Sequence, residues 1–409
     1  MLPTLSEYSI KRVAIKVRPS VERLIRKGHP WIFEASIVKQ STEGNAGDLA
    51  IIYDQKKNKF LALGLYDPDS PIRIKLLQYQ KSTAINEAWF EQKIQQAYQI
   101  RQPLLTQTDT NSYRLIHGEN DGLPSFIADV YADVLVVKLY AAIWLPYLKL
   151  MLPILQKLTS CQTIVLRLSR SLQNMTQKLH KLKDGQVIYG ELKQEEVIFR
   201  EHGLLFSANV VHGHKTGYFL DHRHNRQKIG KLAKNKKVLD IFAYAGGFSV
   251  HALAGGASEV VSLDISKQAL GMAQKNVALN PQLKSDKHKT MAVDAFEGLQ
   301  KLRQQKKLFD IVVVDPPSFA KRDSERTRAL RKYTQLCELA IPLVSKGGIL
   351  LMASCSSRVS ADDFFAVVLK TLQSSRRRFR ELERTFHDID HPIGFEEGKY
   401  LKAMYIEIS

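Results

Sequence analysis

The second half of the chain alternates short apolar runs with segments of helical spacing, and this alternation constrains the fold more than any other feature. From about Val197, the stretch KKVLDIFAYAGGFSVHALAGGASEVVSLDIS predicts a strand, a glycine-rich turn, a helix and a second strand. Further strands are predicted at KTMAVDA, FDIVVVDPPSF and GGILLMASCSS, with helices between them. The pattern is typical of the α/β class, in which helices cover both faces of an open, mainly parallel sheet.

Several chemically functional side chains lie where these predicted strands end. In open α/β sheets, ligands bind outside the carboxyl ends of the strands, and those ends meet at one edge. The side chains concerned are Asp240, Asp264, Asp294, Asp315 and Cys355. We therefore predict the functional site at this edge.

The first half of the chain is organised differently. Short alternating runs such as RVAIKVRPS, separated by glycine and proline, predict a small β-barrel that ends near Gln80. A helical stretch then leads into a segment that reads strand, strand, helix, strand, strand. We predict three domains: the barrel over residues 1–80, an α+β domain over 81–195 and the parallel-sheet domain over 196–409.

The charge balance bears on the partner. The 409 residues include 60 Lys and Arg against 41 Asp and Glu, which gives a net charge of +19. Such an excess favours a polyanionic partner, nucleic acid before an anionic membrane surface. The alternative is a basic cytosolic protein with a solvated surface. No window reaches the roughly 18 unbroken apolar residues of a membrane span.

The cysteines and the N-terminus indicate the compartment. Cys161, Cys337 and Cys355 share no metal-ligand spacing and are odd in number, which favours a reducing environment. The first residues, MLPTLSEYSIKR, contain no apolar core of signal-peptide length. We expect a cytoplasmic protein.

The stretch VLDIFAYAGGFS suggests a methyl-donor site. Gly246 and its neighbour Gly247 lack Cβ atoms, which allows a backbone to pass close to a ligand. Asp240 suits an ammonium group, Asp264 the hydroxyls of a ribose, and Asp294 an adenine amino group. Together these groups describe S-adenosylmethionine (SAM). A dehydrogenase is disfavoured because its G-x-G-x-x-G fingerprint is missing.

The stretch DPPSF follows the next strand. Its two prolines lack N–H donors and stiffen the loop. Asp315 is placed to bond or protonate a ring nitrogen or an exocyclic amine, and Phe319 to stack on the ring. The structural alternative is a tight turn that only caps a strand. Beside a methyl-donor site, this loop is what a base-methylating enzyme needs.

Cys355 bears on which atom of the base receives the methyl group. Carbon 5 of a pyrimidine is a poor nucleophile, and a thiolate that adds to carbon 6 turns the ring into an enamine. Arg358 lies near Cys355 in the sequence, and nearby positive charge raises the thiolate fraction. The alternative is a small buried residue, as free cysteines often are. Cys161 and Cys337 are predicted to lie in the core.

Six stretches in this order resemble one family along essentially the whole chain. They are VRPSVERLIRKGHPWIFEASI, HGENDGLPSFIADVYADVLVV, HKTGYFLDHRHNR, VLDIFAYAGGFSVHA, VVVDPPSFAK and ASCSSRVS. The chain resembles the bacterial ribosomal RNA large subunit methyltransferase I family. The resemblance implies an N-terminal PUA domain, a strand-strand-helix-strand-strand middle domain and a class I Rossmann-like methyltransferase domain. It also implies SAM-dependent formation of 5-methylcytosine in 23S rRNA.

The resemblance assigns roles to residues. It places Cys355 as nucleophile and Asp315 as the catalytic acid of the acid-proline-proline motif. A second cysteine, which many RNA 5-methylcytosine enzymes carry after the first proline of the motif, is replaced by Pro317, as in the rest of the family. The implied donor-site residues are Asp240, Phe242, Ala245, Gly246, Asp264, Ile265, Asp294, Ala295 and Asp315. The implied substrate-binding residues are Pro316, Pro317, Phe319, Lys321 and Arg322.

One segment departs from the family. The family usually reads Asp-Gln-Arg after KTGYFL, whereas this chain has His222 between Asp221 and Arg223. It is therefore open whether this chain keeps the donor-site contact that the family's glutamine makes. Four histidines in this segment, at 212, 214, 222 and 224, also suggest a metal site. The absence of cysteines and of a separate carboxylate cluster disfavours that interpretation. We expect this segment to close over the donor, with basic residues facing RNA: Lys215, Arg223 and Arg226.

Other RNA contacts are expected from the barrel and from the basic runs KRDSERTRALRK and SRRRFR. Trp31 and Phe33 are expected in the barrel core. Relatives of this architecture suggest a homodimer. Two rival functions stay open: methylation of a purine amino group or ring nitrogen, for which Cys355 is dispensable, and an RNA-binding assembly factor that no longer methylates. The sequence does not give the target nucleotide, the form of the rRNA substrate or the base that removes the carbon-5 proton.

Overall fold

The computed structural model describes residues 8–409, apart from the side chains of residues 175 and 178–180. Residues 1–7 lie outside the described residues. The expectation that the N-terminal stretch has no signal peptide falls partly on them. The chain divides into two compact units. One comprises residues 1–199, 208–220 and 389–396, and the other comprises 200–207, 221–388 and 397–409. The three domain boundaries predicted above stay a prediction.

The N-terminal region is a six-stranded sheet with one short helix, α1, which the sequence analysis missed. Apolar side chains of β1 alternate with polar ones, and Val13, Ile15 and Val17 are fully buried. The strands pair in the order β2-β6-β5-β4-β1-β3, in which only β1 and β4 run parallel. The elements are β1 (Arg12–Val17), α1 (Pro19–Arg26), β2 (Trp31–Ile32), β3 (Ile37–Gln40), β4 (Leu49–Tyr53), β5 (Phe60–Tyr66) and β6 (Ile74–Tyr79).

Two aromatic residues of this region differ from the expectation. Phe33 is 47% exposed, so its assignment to the barrel core is wrong. Trp31 is half-buried, and its indole N–H donates to Glu119 Oε1 at 3.1 Å. Its ring edge packs on Phe395, with the centroids 5.0 Å apart. Trp31 therefore packs outside the barrel core as well.

The middle region forms a five-stranded sheet in the order β11-β10-β9-β8-β7. Three strands, not two, precede its first internal helix, because residues 126–139 fold into a hairpin in which Tyr131 pairs with Val134. The two-residue turn between them places Ala132 at φ 53°. The elements are α2 (Glu87–Gln107), β7 (Ser112–His117), β8 (Phe126–Tyr131), β9 (Val134–Leu139), α3 (Leu148–Thr159), β10 (Thr163–Leu168), α4 (Arg170–His180) and β11 (Gln186–Tyr189).

A hairpin follows, formed by β12 (Glu196–Glu201) and β13 (Leu204–Asn209). Its turn residues, His202 and Gly203, both have positive φ, as two-residue hairpin turns require. The strands contribute residues to both compact units.

The C-terminal region contains the predicted alternation and a seven-stranded sheet in the order β16-β15-β14-β17-β18-β20-β19. β20 runs antiparallel to both of its neighbours, β18 and β19, and the other adjacent strands run parallel to each other. The elements are α5 (Arg223–Leu232), β14 (Lys237–Ile241), α6 (Gly247–Ala254), β15 (Glu259–Asp264), α7 (Lys267–Ala278), β16 (His288–Ala292), α8 (Ala295–Gln304), β17 (Phe309–Val314), α9 (Arg326–Ala340), β18 (Val344–Ser354), α10 (Ala361–Ser374), β19 (Phe379–Thr385) and β20 (Lys402–Ile408).

Both faces of this sheet are covered. Leu239, Val312 and Leu350 pack with residues of α8, α9 and α10 in one core. Successive side chains of a strand point to opposite faces, and the alternate residues Val238 and Val313 are equally buried. The chain leaves β14 toward β15 and returns to β17 on its other side. This reversal of strand order lies where α/β sheets bind their ligands.

Two helical glycines allow a matched test of packing near this site. A Cβ at Gly230 of α5 would lie 2.8 Å from the carbonyl oxygen of His251 in α6, whereas a Cβ at Gly271 of α7 would meet nothing within 4 Å. We expect Gly230→Ala to lower the free energy of unfolding by about 1–3 kcal/mol, because α5 and α6 must separate. Gly271→Ala should raise it by about 0.5–1 kcal/mol through helix propensity.

The measurement is urea unfolding of both variants, followed by circular dichroism. Equal effects of the two substitutions would show that the approach of α5 to α6 does not limit stability.

Candidate functional site

The predicted edge of the sheet brings the acid-proline-proline loop and the cysteine together. Asp240 lies next to the end of β14, Asp315 directly follows β17, and Cys355 directly follows β18. The Cys355 thiol donates to the carbonyl oxygen of Pro316, with Sγ 3.7 Å from that oxygen. The hydroxyl of Ser356 donates to the carbonyl of Ala320 at 3.3 Å. The two loops are therefore joined at two successive residues, Cys355 and Ser356.

Asp240 is a buried carboxyl group with one oxygen satisfied and one not. Its Oδ2 accepts from the backbone N–H and the hydroxyl of Ser249, at 3.1 and 2.7 Å. Its Oδ1 is buried and has no hydrogen-bond partner within the described part of the chain. Burial raises the pKa of Asp240 to about 7; the Ser249 hydrogen bonds act against this, and the charges of Asp315 and Asp264 add to it. A cationic ligand group at Oδ1 would remove this imbalance.

The loop between β14 and α6 has an unusual backbone. Phe242, Tyr244 and Gly246 all have positive φ, at 62°, 48° and 73°. A Cβ on Gly246 would lie 2.7 Å from the Cβ of Ala273 in α7. The glycine is therefore required by its conformation and by the packing of the loop on α7. Its proximity to the donor, which the sequence suggested, stays a prediction.

Asp264 is held in one orientation at the end of β15. Its Oδ2 accepts from the Tyr244 N–H at 3.0 Å, and its Oδ1 accepts from the Ser266 N–H at 2.9 Å. Each oxygen keeps a second lone pair for a hydroxyl group. The next residue, Ile265, is 72% exposed. An exposed isoleucine beside an oriented carboxylate offers an apolar surface for a flat ring.

Asp294 has a structural role. Its Oδ1 accepts from the N–H groups of Phe296 and Glu297, at 2.9 and 3.4 Å, and so caps α8. Ala295 is buried behind it. A contact of Asp294 with the adenine stays a prediction.

The residues after Asp315 differ in exposure. Pro316 is buried and Pro317 is exposed. Phe319 is half-buried: its ring packs against Tyr333, centroids 5.2 Å apart, and Lys332 Nζ lies 4.8 Å from its centroid. One face of Phe319 is therefore already occupied. Lys321 and Arg322 are exposed, and their backbone N–H groups donate to Glu325.

His222 contacts the central acid of the site. Its Nε2 lies 3.3 Å from Asp315 Oδ1. Its Nδ1 lies 3.1 Å from Asn225 Nδ2, and the Oδ1 of Asn225 accepts from the hydroxyls of Thr385 and Tyr405 at 2.8 and 3.0 Å. Since Oδ1 is committed to these hydroxyls, the amide donates to Nδ1. The ring hydrogen then resides on Nε2, which lies near Asp315 Oδ1 without meeting the geometry of a hydrogen bond.

Two influences on His222 oppose each other. Burial is the largest single influence and lowers its pKa, but the neighbouring acids Asp315 and Asp221 together outweigh burial, so the net direction is upward. The Asn225 amide, as a donor to Nδ1, opposes this rise because it disfavours a second proton on the ring. The sequence analysis identified His222 as a departure from the family but did not predict its contact with Asp315.

Two predicted RNA contacts are wrong. Arg223 and Arg226 are buried, because both face the buried carboxylate of Glu201: Arg226 donates to it at 2.6 Å, and Arg223 Nε lies 3.8 Å from it. Arg223 also donates to Asp388 at 3.2 Å. Buried guanidinium groups with carboxylate partners stabilise the fold. Lys215 is exposed, as an RNA contact requires.

The sequence suggested Arg358 as the positive charge near Cys355, and the structure places that side chain elsewhere. Arg358 is directed toward Asp323, with Nη1 3.5 Å from Oδ1, and its side chain is 44% exposed. The structure instead buries Lys402 behind the cysteine loop. Lys402 is far along the chain, and only the pairing of β20 with β18 brings it there. No sequence signal marks it.

The remaining cysteines and the histidines are accounted for. Cys161 and Cys337 are fully buried in two hydrophobic cores, as predicted. Among the side chains that the structure describes, no group of three or more His, Cys, Asp or Glu is arranged to hold a metal ion. In the same part of the chain, no helix is both long and apolar enough to cross a bilayer.

Comparison with known families and proteins identifies what the chain is similar to. A family described as S-adenosylmethionine-dependent methyltransferase matches residues 113–396, and a PUA-like domain matches residues 15–79. A Ribosomal RNA large subunit methyltransferase from Deinococcus radiodurans is 44% identical over 98% of both chains. Ribosomal RNA large subunit methyltransferase I from Tolumonas auensis is 35% identical over 94% of this chain and 96% of its own.

Among solved structures, a Streptococcus mutans protein assigned provisionally as a SAM-dependent methyltransferase superposes with a TM-score of 0.81. It covers 96% of this chain and 99% of its own at 19% identity, so this likeness shows the fold. The family matches confirm the expected PUA-like and methyltransferase domains. The chain belongs to the SAM-dependent ribosomal RNA large subunit methyltransferase I family.

Proposed function

We propose that the protein methylates carbon 5 of a cytosine in 23S rRNA, through a covalent adduct between Cys355 and carbon 6. The relatives' names supply the ribosomal RNA large subunit as the substrate class. The observation that carries the cytosine assignment is the contact of the Cys355 thiol with the Pro316 carbonyl, one residue from Asp315. A thiol in that place serves pyrimidine methylation and has no role in the methylation of an amino group.

The donor-site assignment has support from the geometry. Asp240 offers a buried, unpaired carboxylate oxygen for the ammonium group of SAM. Asp264 offers oriented lone pairs for the ribose, and the exposed Ile265 an apolar surface for the adenine. When bound, SAM supplies a methyl group on a positively charged sulfur.

The residues of the chain then divide the chemistry between them. The Cys355 thiolate would add to carbon 6, and the electron pair released to carbon 5 would form the bond to the methyl carbon as the bond between that carbon and the donor sulfur breaks, leaving the sulfur neutral. Asp315, in its protonated form, would donate a hydrogen bond to ring nitrogen 3 and stabilise the charge that develops there. Loss of the carbon-5 proton to a base would expel the thiolate and restore the ring. The buried ring of His222 lies beside Asp315 and limits where that side chain can lie.

RNA is expected to lie on the exposed basic surface beside this loop. The exposed positive side chains that follow Phe319 are Lys321, Arg322, Arg326, Arg328 and Arg331. Their backbone is fixed by Glu325 and α9, so they present charge next to the base-binding loop. A homodimer and a cytoplasmic location remain predictions.

The test of the reaction is nucleoside mass spectrometry on unmethylated 23S rRNA incubated with SAM. We expect new 5-methylcytosine from the native protein, and Cys355→Ala should lower the rate by about 10⁴-fold or more, since it removes a covalent nucleophile. Cys337→Ala, a change at a core cysteine of the same unit, should stay active. A methylated purine formed equally by native protein and Cys355→Ala would instead establish amino-group or ring-nitrogen methylation.

Donor binding should release a proton near neutral pH. The pKa of Asp240 is raised to about 7, so below that pH the carboxyl is protonated and must ionise to pair with an ammonium group. We expect SAM affinity to fall as the pH drops from about 7 to 6, where an α-amino group, with a pKa of about 7.7–8.0, stays charged. Calorimetry in buffers of different ionisation enthalpy measures the proton release.

Asp240→Asn should abolish that proton release and weaken binding by about 10- to 100-fold, because a hydrogen bond to a charged group is lost. Asp310→Asn is the matched control, since Asp310 lies in β17 and binds the backbone of Lys237 and the hydroxyl of Ser345. Proton release that persists in Asp240→Asn would remove Asp240 from the donor site.

His222 allows a test of how Asp315 is positioned. His222→Ala should lower kcat by about 10- to 100-fold with little change in the KM for SAM, because Asp315 loses the buried ring beside it and a misplaced catalytic group slows the reaction. His222→Gln offers an amide N–H of similar reach and should recover most of the rate. Single-turnover methyl transfer at saturating SAM measures both. An unchanged rate in His222→Ala would show that Asp315 is held by other groups.

A further inference from the structure

Lys402 is a buried cation directly beside the cysteine loop. Its residue is only 1% exposed, at the start of β20. In the antiparallel pairing of β18 with β20, Lys402 lies opposite Ser354, the residue that precedes Cys355. An ammonium group in such a place costs free energy unless its N–H groups are all satisfied. Its partners therefore indicate what it is for.

The partners are backbone carbonyls, and two of them belong to the cysteine loop. Lys402 Nζ donates to the carbonyl oxygens of Ser356, of Val359 at 2.5 Å and of Tyr400 at 3.1 Å. Three carbonyls match the three N–H groups of an ammonium ion. The loop that carries Cys355 is thus tied at both ends of residues 356–359 to one buried charge. Because these three partners are neutral carbonyls, none of them balances the positive charge of Lys402 as a carboxylate would.

The charge acts on the thiol. Burial lowers the pKa of Lys402 to about 8, and the negative form of Cys355 raises it, followed by Asp363 of α10. Interactions of this kind are reciprocal, so the ammonium favours the thiolate. A negative charge on Asp315, in the adjoining loop, would act against ionisation of the thiol, and burial raises the pKa of Tyr333 in α9, so that phenol stays neutral. Lys402 is a buried positive charge that can offset Asp315.

We propose that Lys402 is a positioning residue that holds the Cys355 loop through its carbonyl contacts and favours the thiolate form of Cys355. The proposal rests on the proposed function for its role in catalysis. Its chemistry can be measured without methyl transfer, because a thiolate displaces iodide from iodoacetamide and forms a stable sulfur–carbon bond. Cys161 and Cys337 are fully buried, so the modification of Cys355 is read from its own peptide by mass spectrometry.

The first experiment uses the native protein. Mobile ions screen an exposed charge but screen a buried one far less. If Lys402 is the cation, the pH midpoint of Cys355 alkylation should move little between about 0.05 and 1 M salt. If the exposed Arg358 were the cation instead, the midpoint would rise with salt, and that result would overturn the proposal.

The second experiment separates hydrogen bonding from charge. Lys402→Gln keeps amide N–H groups for the loop carbonyls but removes the charge, whereas Lys402→Arg keeps the charge. Alkylation of Cys355 at pH 7 should slow about tenfold in Lys402→Gln, which corresponds to one pH unit in its midpoint. The rate should recover, at least in part, in Lys402→Arg. Arg358→Ala is the control and should leave the rate within about twofold.

The outcomes are distinct from those that test the reaction. A native midpoint in Lys402→Gln, in protein whose SAM binding and thermal unfolding match the native chain, would reject the role of Lys402. If Lys402→Gln does not fold, the salt experiment on the native protein decides. If the midpoint shifts in Lys402→Gln but the native protein transfers no methyl group, the effect of Lys402 on the thiol stands and the proposed reaction is rejected.

Discussion

The site depends on the register of three parallel strands. β14, β17 and β18 are paired so that Ile241 lies beside Val314 and Val314 beside Met352. β14 and β17 end at this level of the sheet, and β18 continues for two more residues before Cys355. Asp315 and Cys355 come from segments far apart in sequence, and this register alone brings the thiol to the Pro316 carbonyl. A shift of one residue in either pair would turn the following side chain to the other face.

Local patterns explain what could be predicted. The alternation of apolar runs and helical spacing specifies strand ends well, so Asp240, Asp264, Asp315 and Cys355 were placed correctly at one edge. The hairpin at residues 126–139 was missed because its turn is only two residues long, Ala132 and Asp133, and contains neither glycine nor asparagine. Family resemblance, rather than periodicity, supplied the PUA-like domain.

Long-range electrostatics explains what could not be predicted. A basic residue in a sequence reads as a surface charge, yet Arg223, Arg226 and Lys402 are all buried. Their partners, the Glu201 carboxylate and the loop carbonyls, come from distant segments that only the folded sheet assembles. Proximity in sequence was equally misleading for Arg358, which faces Asp323 at the surface.

The division of the chain into units has a consequence for how this protein can be taken apart. Residues 208–220 and 389–396 belong to the first unit, although both are flanked in sequence by segments of the second. Asp390 accepts from the Arg114 N–H at 3.0 Å, and Thr216 donates to Asp129 at 2.6 Å, each within the first unit. A fragment that starts at residue 196 would carry both segments without these partners. A single cut of the backbone therefore cannot separate the second unit, because that unit consists of three separate segments of the chain.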